Sequence, residues 1–103
     1  MHRAIQEKSA QLEALCVRFR VRRLALFGSA AAASGPAVPR DFDFLVEFAA
    51  MKPVEHAACY FGLLEELESL LRAPVDLVEP RAIRNPYFQR ALEETQVPLY
   101  AAA

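Results

Sequence analysis

The chain has few of the residues from which zinc centres and disulfide frameworks are built. It contains two cysteines, Cys16 and Cys59, and two histidines, His2 and His56, among 103 residues. The cysteines lie far apart, form no Cys-x-x-Cys pair and have apolar neighbours in helical segments, so we predict two buried, reduced thiols. A tetrahedral zinc site needs several such ligands at close spacing, and this composition argues against one.

A basic excess and a long apolar run are also missing. Twelve lysines and arginines are balanced by 13 aspartates and glutamates, with a net charge of −1. Nucleic-acid binders usually carry a basic excess, so nucleic acid is not the expected partner. No run approaches the roughly 18 apolar residues of a membrane helix, and the charged start MHRAIQEKSAQ lacks the apolar stretch of a signal peptide. We therefore expect a cytoplasmic protein with no membrane contact.

The three glycines form none of the common nucleotide-binding loops. There is no Gly-x-x-x-x-Gly-Lys-Ser/Thr and no Gly-x-Gly-x-x-Gly, which excludes P-loop and dinucleotide-binding folds. The Gly-x-Ser-x-Gly elbow of many hydrolases is absent as well. Any phosphate chemistry must use another arrangement.

The residues that are present predict one α/β (α+β) domain over residues 1–103. Hydrophobic residues make up 54% of the chain, enough for a packed core. Periodicity predicts helices at 3–19, 54–72 and 86–95, strands at 21–27, 41–48 and 75–79, a short helix from Ser29 and an extended segment near 97–100. The order α-β-α-β-α-β-α indicates a three-stranded core mixed sheet packed with helices.

The strand at 41–48 carries two carboxylates on one face. Its sequence DFDFLVEF alternates, so Asp41 and Asp43 point away from the side of Phe42 and Phe44. At ~4 Å and an effective dielectric constant of ~20, two bare carboxylates repel by about 4 kcal/mol. They need a cation, a basic neighbour or free access to water. Mg²⁺, a hard ion with oxygen ligands, suits the first case; a solvent-exposed acidic strand edge is the alternative.

Two further features extend this pattern. Asp76 lies in the short apolar strand Pro-Val-Asp-Leu-Val and would share the face of Asp43 if the two strands were neighbours; alternatively, it pairs with Arg40, Lys52 or Arg81. Gly28-Ser29 ends a strand where a helix is predicted to begin, a place where backbone N–H groups favour an anion. The same dipeptide is also an ordinary helix cap. His56 lies on a predicted helix and is expected to be structural rather than a catalytic base.

Together these segments resemble a known family. Leu-Phe-Gly-Ser, followed after 11 residues by Asp-x-Asp-Phe-Leu-Val-Glu-Phe, a long helix and Val-Asp-Leu-Val, resembles a minimal nucleotidyltransferase of the polymerase-beta superfamily. The resemblance spans essentially the whole chain. It implies that Asp41, Asp43 and Asp76 hold two Mg²⁺ ions, and that Gly28 and Ser29 contact the nucleotide phosphates. Arg40, which is not part of the family pattern, is a further candidate for nucleotide contact, with Lys52 as the alternative. The implied reaction is transfer of a nucleotidyl group from ATP to an acceptor hydroxyl, with pyrophosphate leaving.

The same resemblance implies a partner. Larger relatives append an acceptor-binding domain, whereas minimal forms look like antitoxins of HEPN-domain toxins, some of which are silenced by adenylylation. We therefore expect an adenylyltransferase that modifies, and assembles with, a HEPN toxin. The chain departs from the family at two places: four alanines at 30–33 replace the usual arginine-bearing run, and Arg40 replaces a serine or aspartate. The alanines favour an alternative, a non-catalytic antitoxin of the same fold that masks its partner, whereas the three aspartates favour the enzyme. A plain nucleotide-binding or assembly module is a third interpretation.

Overall fold

A computed structural model of the protein describes residues 3–28 and 41–102. Its helices are α1 (Arg3–Glu7), α2 (Ser9–Arg18), α3 (Pro53–Leu71) and α4 (Pro86–Thr95), with a 3₁₀ turn at Pro80–Ala82. Its strands are β1 (Val21–Phe27), β2 (Phe42–Phe48), β3 (Val75–Val78) and β4 (Val97–Ala101). Within the described residues, no helix combines the length and apolar character that crossing a membrane requires.

The four strands form one mixed sheet in the order β3-β2-β1-β4. β1 runs antiparallel to both β2 and β4, while β2 and β3 are parallel. The α/β class and the mixed sheet predicted from the sequence are confirmed, with one addition. The segment predicted as merely extended near 97–100 pairs with β1 and gives the sheet a fourth strand.

Most elements begin and end within two residues of the predicted bounds. The predicted first helix is divided at Lys8, which lies in a turn between α1 and α2. Proline at the first helical position starts both α3 and α4, where its missing N–H costs no hydrogen bond. The short helix predicted from Ser29 falls outside the described residues.

The core lies between one face of the sheet and helices α1, α2 and α3. The alternation of β2 sends Phe42, Phe44 and Val46 to this face, each at most 1% exposed. They join a cluster of fourteen buried residues: Ile5, Leu12, Cys16, Val21, Leu24, Leu26, Phe42, Phe44, Val46, Phe48, Cys59, Leu63, Leu67 and Leu77. The opposite face of β2 therefore carries Asp43, Leu45 and Glu47.

Candidate functional site

Two carboxylates meet at one rung of the sheet. Asp43 of β2 lies directly opposite Asp76 of β3 in the parallel register, so both side chains point to the same face. Asp41 precedes β2 and has the same parity as Asp43, which places it on that face as well. The neighbouring strands required by the sequence argument are therefore present.

Gly28, which follows β1, packs closely against Asp43 of this carboxylate pair. Its φ of +73° lies in the left-handed region, and a Cβ atom added there would meet the Asp43 Oδ2 atom at 2.5 Å. Real Cβ atoms do not approach an oxygen so closely, so the backbone at Gly28 can lie this near the carboxylate because this residue has no side chain. The glycine therefore forms one wall of the acidic site.

The carboxylates share no cation within the described chain. Partial burial raises the pKa of Asp43, and the negative charges of Asp41 and Asp76 raise it further. Across residues 3–28 and 41–102, neither Lys52 nor Arg81 forms an ion pair with Asp76. Arg40, the third candidate partner, lies outside these residues, as do Ser29 and the alanines at 30–33.

Solvent relieves part of this repulsion. Asp41 and Asp76 are exposed, as an acidic strand edge would be, whereas Asp43 is half-buried between Gly28 and Asp76. The exposed pair alone would fit the alternative of a solvated edge. A half-buried carboxylate with two like charges nearby and no described counter-charge fits a cation site better.

The donor atoms suit Mg²⁺, which prefers carboxylate oxygens. In the described part of the chain, no three His, Cys, Asp or Glu side chains form a group that could hold a metal ion by themselves. This agrees with the way Mg²⁺ is bound at phosphate-transfer sites, where one or two carboxylates act together with substrate phosphates and water. Asp43 and Asp76 supply that number; Asp41 lies on the same face but does not complete a three-carboxylate group with them.

Helix α3 fixes the edge strand that carries Asp76. The Tyr60 hydroxyl donates a hydrogen bond of 2.5 Å to the Leu77 carbonyl oxygen, and the Val75 N–H donates to the Glu68 Oε2 atom at 3.2 Å. These bonds hold β3 on both sides of Asp76. In the sequence, Tyr60 recurs at helical spacing with Leu64 and Leu67, which predicts the inner side of the helix for it but gives no sign of this hydroxyl contact.

The remaining chemistry-bearing residues are occupied elsewhere. His56 Nε2 lies 2.5 Å from Glu79 Oε1, and its ring meets Phe48 edge-on at 5.4 Å between centroids. Both cysteines are buried and free, as predicted, and burial raises the pKa of the Cys16 thiol to about 12. A thiol that stays protonated is a poor nucleophile.

Sequence reasoning missed a cavity on the carboxylate face of the sheet. It has a volume of about 270 Å³ and lies between α4 and strands β1 and β2. We call it the α4 pocket; it is lined by Ala25, Leu45, Ile83, Gln89, Leu92 and Gln96, among others. The three aspartates lie outside it. Gln89 and Gln96 are the residues that could have indicated a binding pocket, but no pattern in the sequence predicts that α4 crosses this face of the sheet.

Comparison with known proteins identifies the family and the fold. The profile of the nucleotidyltransferase domain family matches residues 8–97. A proposed protein adenylyltransferase from Methanocaldococcus jannaschii is 35% identical over 77 residues, which is 75% of each chain. The structure of a proposed minimal nucleotidyltransferase superposes with a TM-score of 0.68 at 27% identity, covering 91% of both chains.

A more distant structure shares the fold. It is a tri-AMPylated HEPN toxin from Shewanella oneidensis in complex with an MNT antitoxin, and a chain of it matches with a TM-score of 0.62. The identity is 21%, over 94% of this chain and 72% of that one. At this identity the likeness concerns the fold alone.

Proposed function

Because the chain belongs to the nucleotidyltransferase domain family, we propose that it transfers the AMP group of ATP to a hydroxyl group on a partner protein. The observation that carries the proposal is the rung shared by Asp43 and Asp76, with Asp41 on the same face and Gly28 against it. The relative at 35% identity, named for protein adenylylation, supports a protein as the acceptor.

In this proposal, Asp41, Asp43 and Asp76 hold two Mg²⁺ ions. Bound Mg²⁺ supplies charge stabilisation for the oxygens that enter and leave at the α-phosphorus. Gly28 and Ser29 contribute backbone N–H groups to the β- and γ-phosphates, and Arg40 contributes a positive charge. Asp76, exposed on an edge strand, receives the proton of the acceptor hydroxyl.

The reaction exchanges one phosphorus–oxygen bond for another. The acceptor oxygen forms a bond to the α-phosphorus while the bond from that phosphorus to the oxygen bridging to the β-phosphate breaks. AMP stays on the partner and pyrophosphate leaves. Removing Asp43, the carboxylate between Gly28 and Asp76, should abolish this exchange.

We propose a HEPN-domain toxin as the partner, with this chain acting as its antitoxin. Support comes from the fold shared with the toxin–antitoxin complex. Adenylylation of a toxin hydroxyl would add a bulky, negatively charged group there and block its function.

Labelled ATP tests the proposal. Purified chain, Mg²⁺, ATP carrying label at the α-phosphate and lysate of the native host should give label on one protein. ATP labelled at the γ-phosphate should give none. Asp43→Ala should abolish the transfer, while Glu65→Ala, a change of an exposed carboxylate on α3, should leave it unchanged. Transfer that survives in Asp43→Ala would contradict the proposed site.

A second candidate function is masking of the toxin without chemistry. The alanines at 30–33, which stand where the family usually has arginines, favour it. The two functions separate in a toxicity assay in the host. Neutralisation that persists in Asp43→Ala indicates masking, and neutralisation that is lost with Asp43 indicates adenylylation.

A further inference from the structure

The α4 pocket lies beside the carboxylates on the same face of the sheet. Ala25 pairs with Leu45 in the antiparallel register, and Phe27 pairs with Asp43 one step along that face. Two residues of a strand span about 7 Å. Leu45 is therefore about 7 Å from Asp43 along β2, and the Ala25–Leu45 pair forms part of the pocket wall.

The lining of the pocket combines apolar residues with two uncharged amides and three charged side chains, Arg23, Glu47 and Glu93. Ala25, Leu45, Ile83 and Leu92 supply the apolar surface, and a small residue at position 25 leaves the space open. Gln96 is half-buried and Gln89 is exposed. Within the described residues neither amide side chain forms a hydrogen bond, so both retain donors and acceptors for a ligand.

Two of the three charged side chains that line the pocket compensate each other. Arg23 and Glu47 both line it, and Arg23 Nη1 lies 3.9 Å from Glu47 Oε2. Glu93, an exposed residue, leaves a net negative charge in the lining, which disfavours a phosphate group there. An apolar cleft with a few hydrogen-bonding groups is instead typical of small-molecule sites. A neutral heteroaromatic ring would use both the apolar surface and the amides.

We propose that the α4 pocket binds the nucleobase of the donor nucleotide, an inference that rests on the proposed nucleotidyl transfer. With the triphosphate at Gly28 and the α-phosphorus near Asp43, the ribose spans the step from Asp43 to Leu45. The base then lies under α4, and Gln96 and Gln89 contact its polar edge. The volume of about 270 Å³ falls just below the usual range for whole-ligand pockets, which suits one part of a ligand.

Comparison of ATP with inorganic tripolyphosphate tests this assignment, because the second ligand lacks ribose and base. Dissociation constants with Mg²⁺ would be measured by calorimetry on the full chain. Wild-type protein should bind ATP more tightly than tripolyphosphate. Ala25→Leu, which fills the pocket, should weaken ATP binding about tenfold and leave tripolyphosphate binding unchanged. Ala14→Leu, at an exposed position of α2, is the matched control and should change neither.

A second variant covers the case in which Ala25→Leu does not fold. Gln96→Leu removes one amide at nearly constant volume and should also weaken ATP binding selectively, whereas Gln11→Leu on α2 should not. Equal affinity of the wild type for both ligands would overturn the pocket assignment, and so would equal losses for both ligands in folded variants.

The binding test is distinct from the transfer test. Base-dependent binding without label transfer would support the pocket and contradict the proposed reaction. Binding of neither ligand would contradict the nucleotide substrate itself, and the pocket assignment with it.

Discussion

Asp43 is the carboxylate of the site whose pKa is raised by its surroundings. Its burial and the charges of Asp41 and Asp76 raise its pKa above the usual value of 3.8. Since the pKa is higher in the folded protein than in the unfolded chain, folding favours the protonated form. The metal-free protein is therefore most stable at acidic pH with respect to this group, and that contribution is lost as pH rises through the folded pKa.

Replacement of Asp43 by asparagine should remove this pH dependence. We measure the free energy of unfolding by urea denaturation without metal. We expect the value for Asp43→Asn, relative to that of the wild type, to increase as pH rises from below 3.8 to neutrality. The reason is that asparagine cannot ionise. Glu65→Gln on α3 serves as the control and should follow the wild type. A large loss of stability at neutral pH would identify Asp43 as a structural residue.

The contact between Gly28 and Asp43 makes a second prediction at the residue scale. Gly28→Ala should destabilise the fold by about 1–2 kcal/mol because of its left-handed backbone alone. The added methyl group must also displace the Asp43 carboxylate, which should abolish label transfer. Urea denaturation of both single variants and of Gly28→Ala/Asp43→Ala separates the two terms. If the double variant shows strictly additive effects, the contact has no energetic role.

At the scale of elements, α3 holds β3 in place for Asp76. Tyr60→Phe removes the hydrogen bond to the Leu77 carbonyl and should cost about 0.5–1.5 kcal/mol of stability. Because the freed strand carries Asp76, label transfer should fall as well. Tyr87→Phe on α4, where the side chain is 85% exposed, is the matched control. Unchanged transfer in Tyr60→Phe would show that β3 keeps its position without the tether.

Helix α4, the roof of the pocket, depends on its N-cap. The Asn85 side chain accepts hydrogen bonds from the Tyr87 and Phe88 N–H groups at 2.9 and 3.3 Å. Asn85→Ala should cost about 1 kcal/mol in denaturant unfolding. Asn85→Asp, which keeps the acceptor, should cost little. An equal loss in both variants would argue that the cap is not the stabilising contact.

For the whole molecule, Mg²⁺ and ATP together should raise the melting temperature. A ligand present at about 100 times its Kd adds roughly 2.7 kcal/mol of stability, which a domain of this size reports as a clear shift. Asp43→Ala should fold, melt at or above the wild-type temperature without metal, and show no shift with Mg²⁺ and ATP. Glu65→Ala should shift like the wild type. A full shift in Asp43→Ala would place the ligand elsewhere.

The local sequence pattern was sufficient to predict most of the helices and strands and the face of β2 that carries the carboxylates. Alternation in DFDFLVEF separated Asp43 from Phe42 and Phe44, and Pro53 and Pro86 marked helix starts. Strand pairing and other tertiary contacts were harder to predict, because contacts between distant segments produce no periodic pattern in the sequence. Three features arise from tertiary packing: the addition of Val97–Ala101 to β1, the close packing of Gly28 against Asp43, and the passage of α4 over Leu45.

The parity of β2 ties folding to chemistry. The alternation of side chains along β2 buries Phe42, Phe44 and Val46 in the core and places Asp43 on the opposite face of the sheet. A slip of a single position would drive the acids into the hydrocarbon interior and expel the aromatic rings into water. Any folded molecule that buries Phe42 and Phe44 in the core therefore also places Asp43 on the opposite face of the sheet.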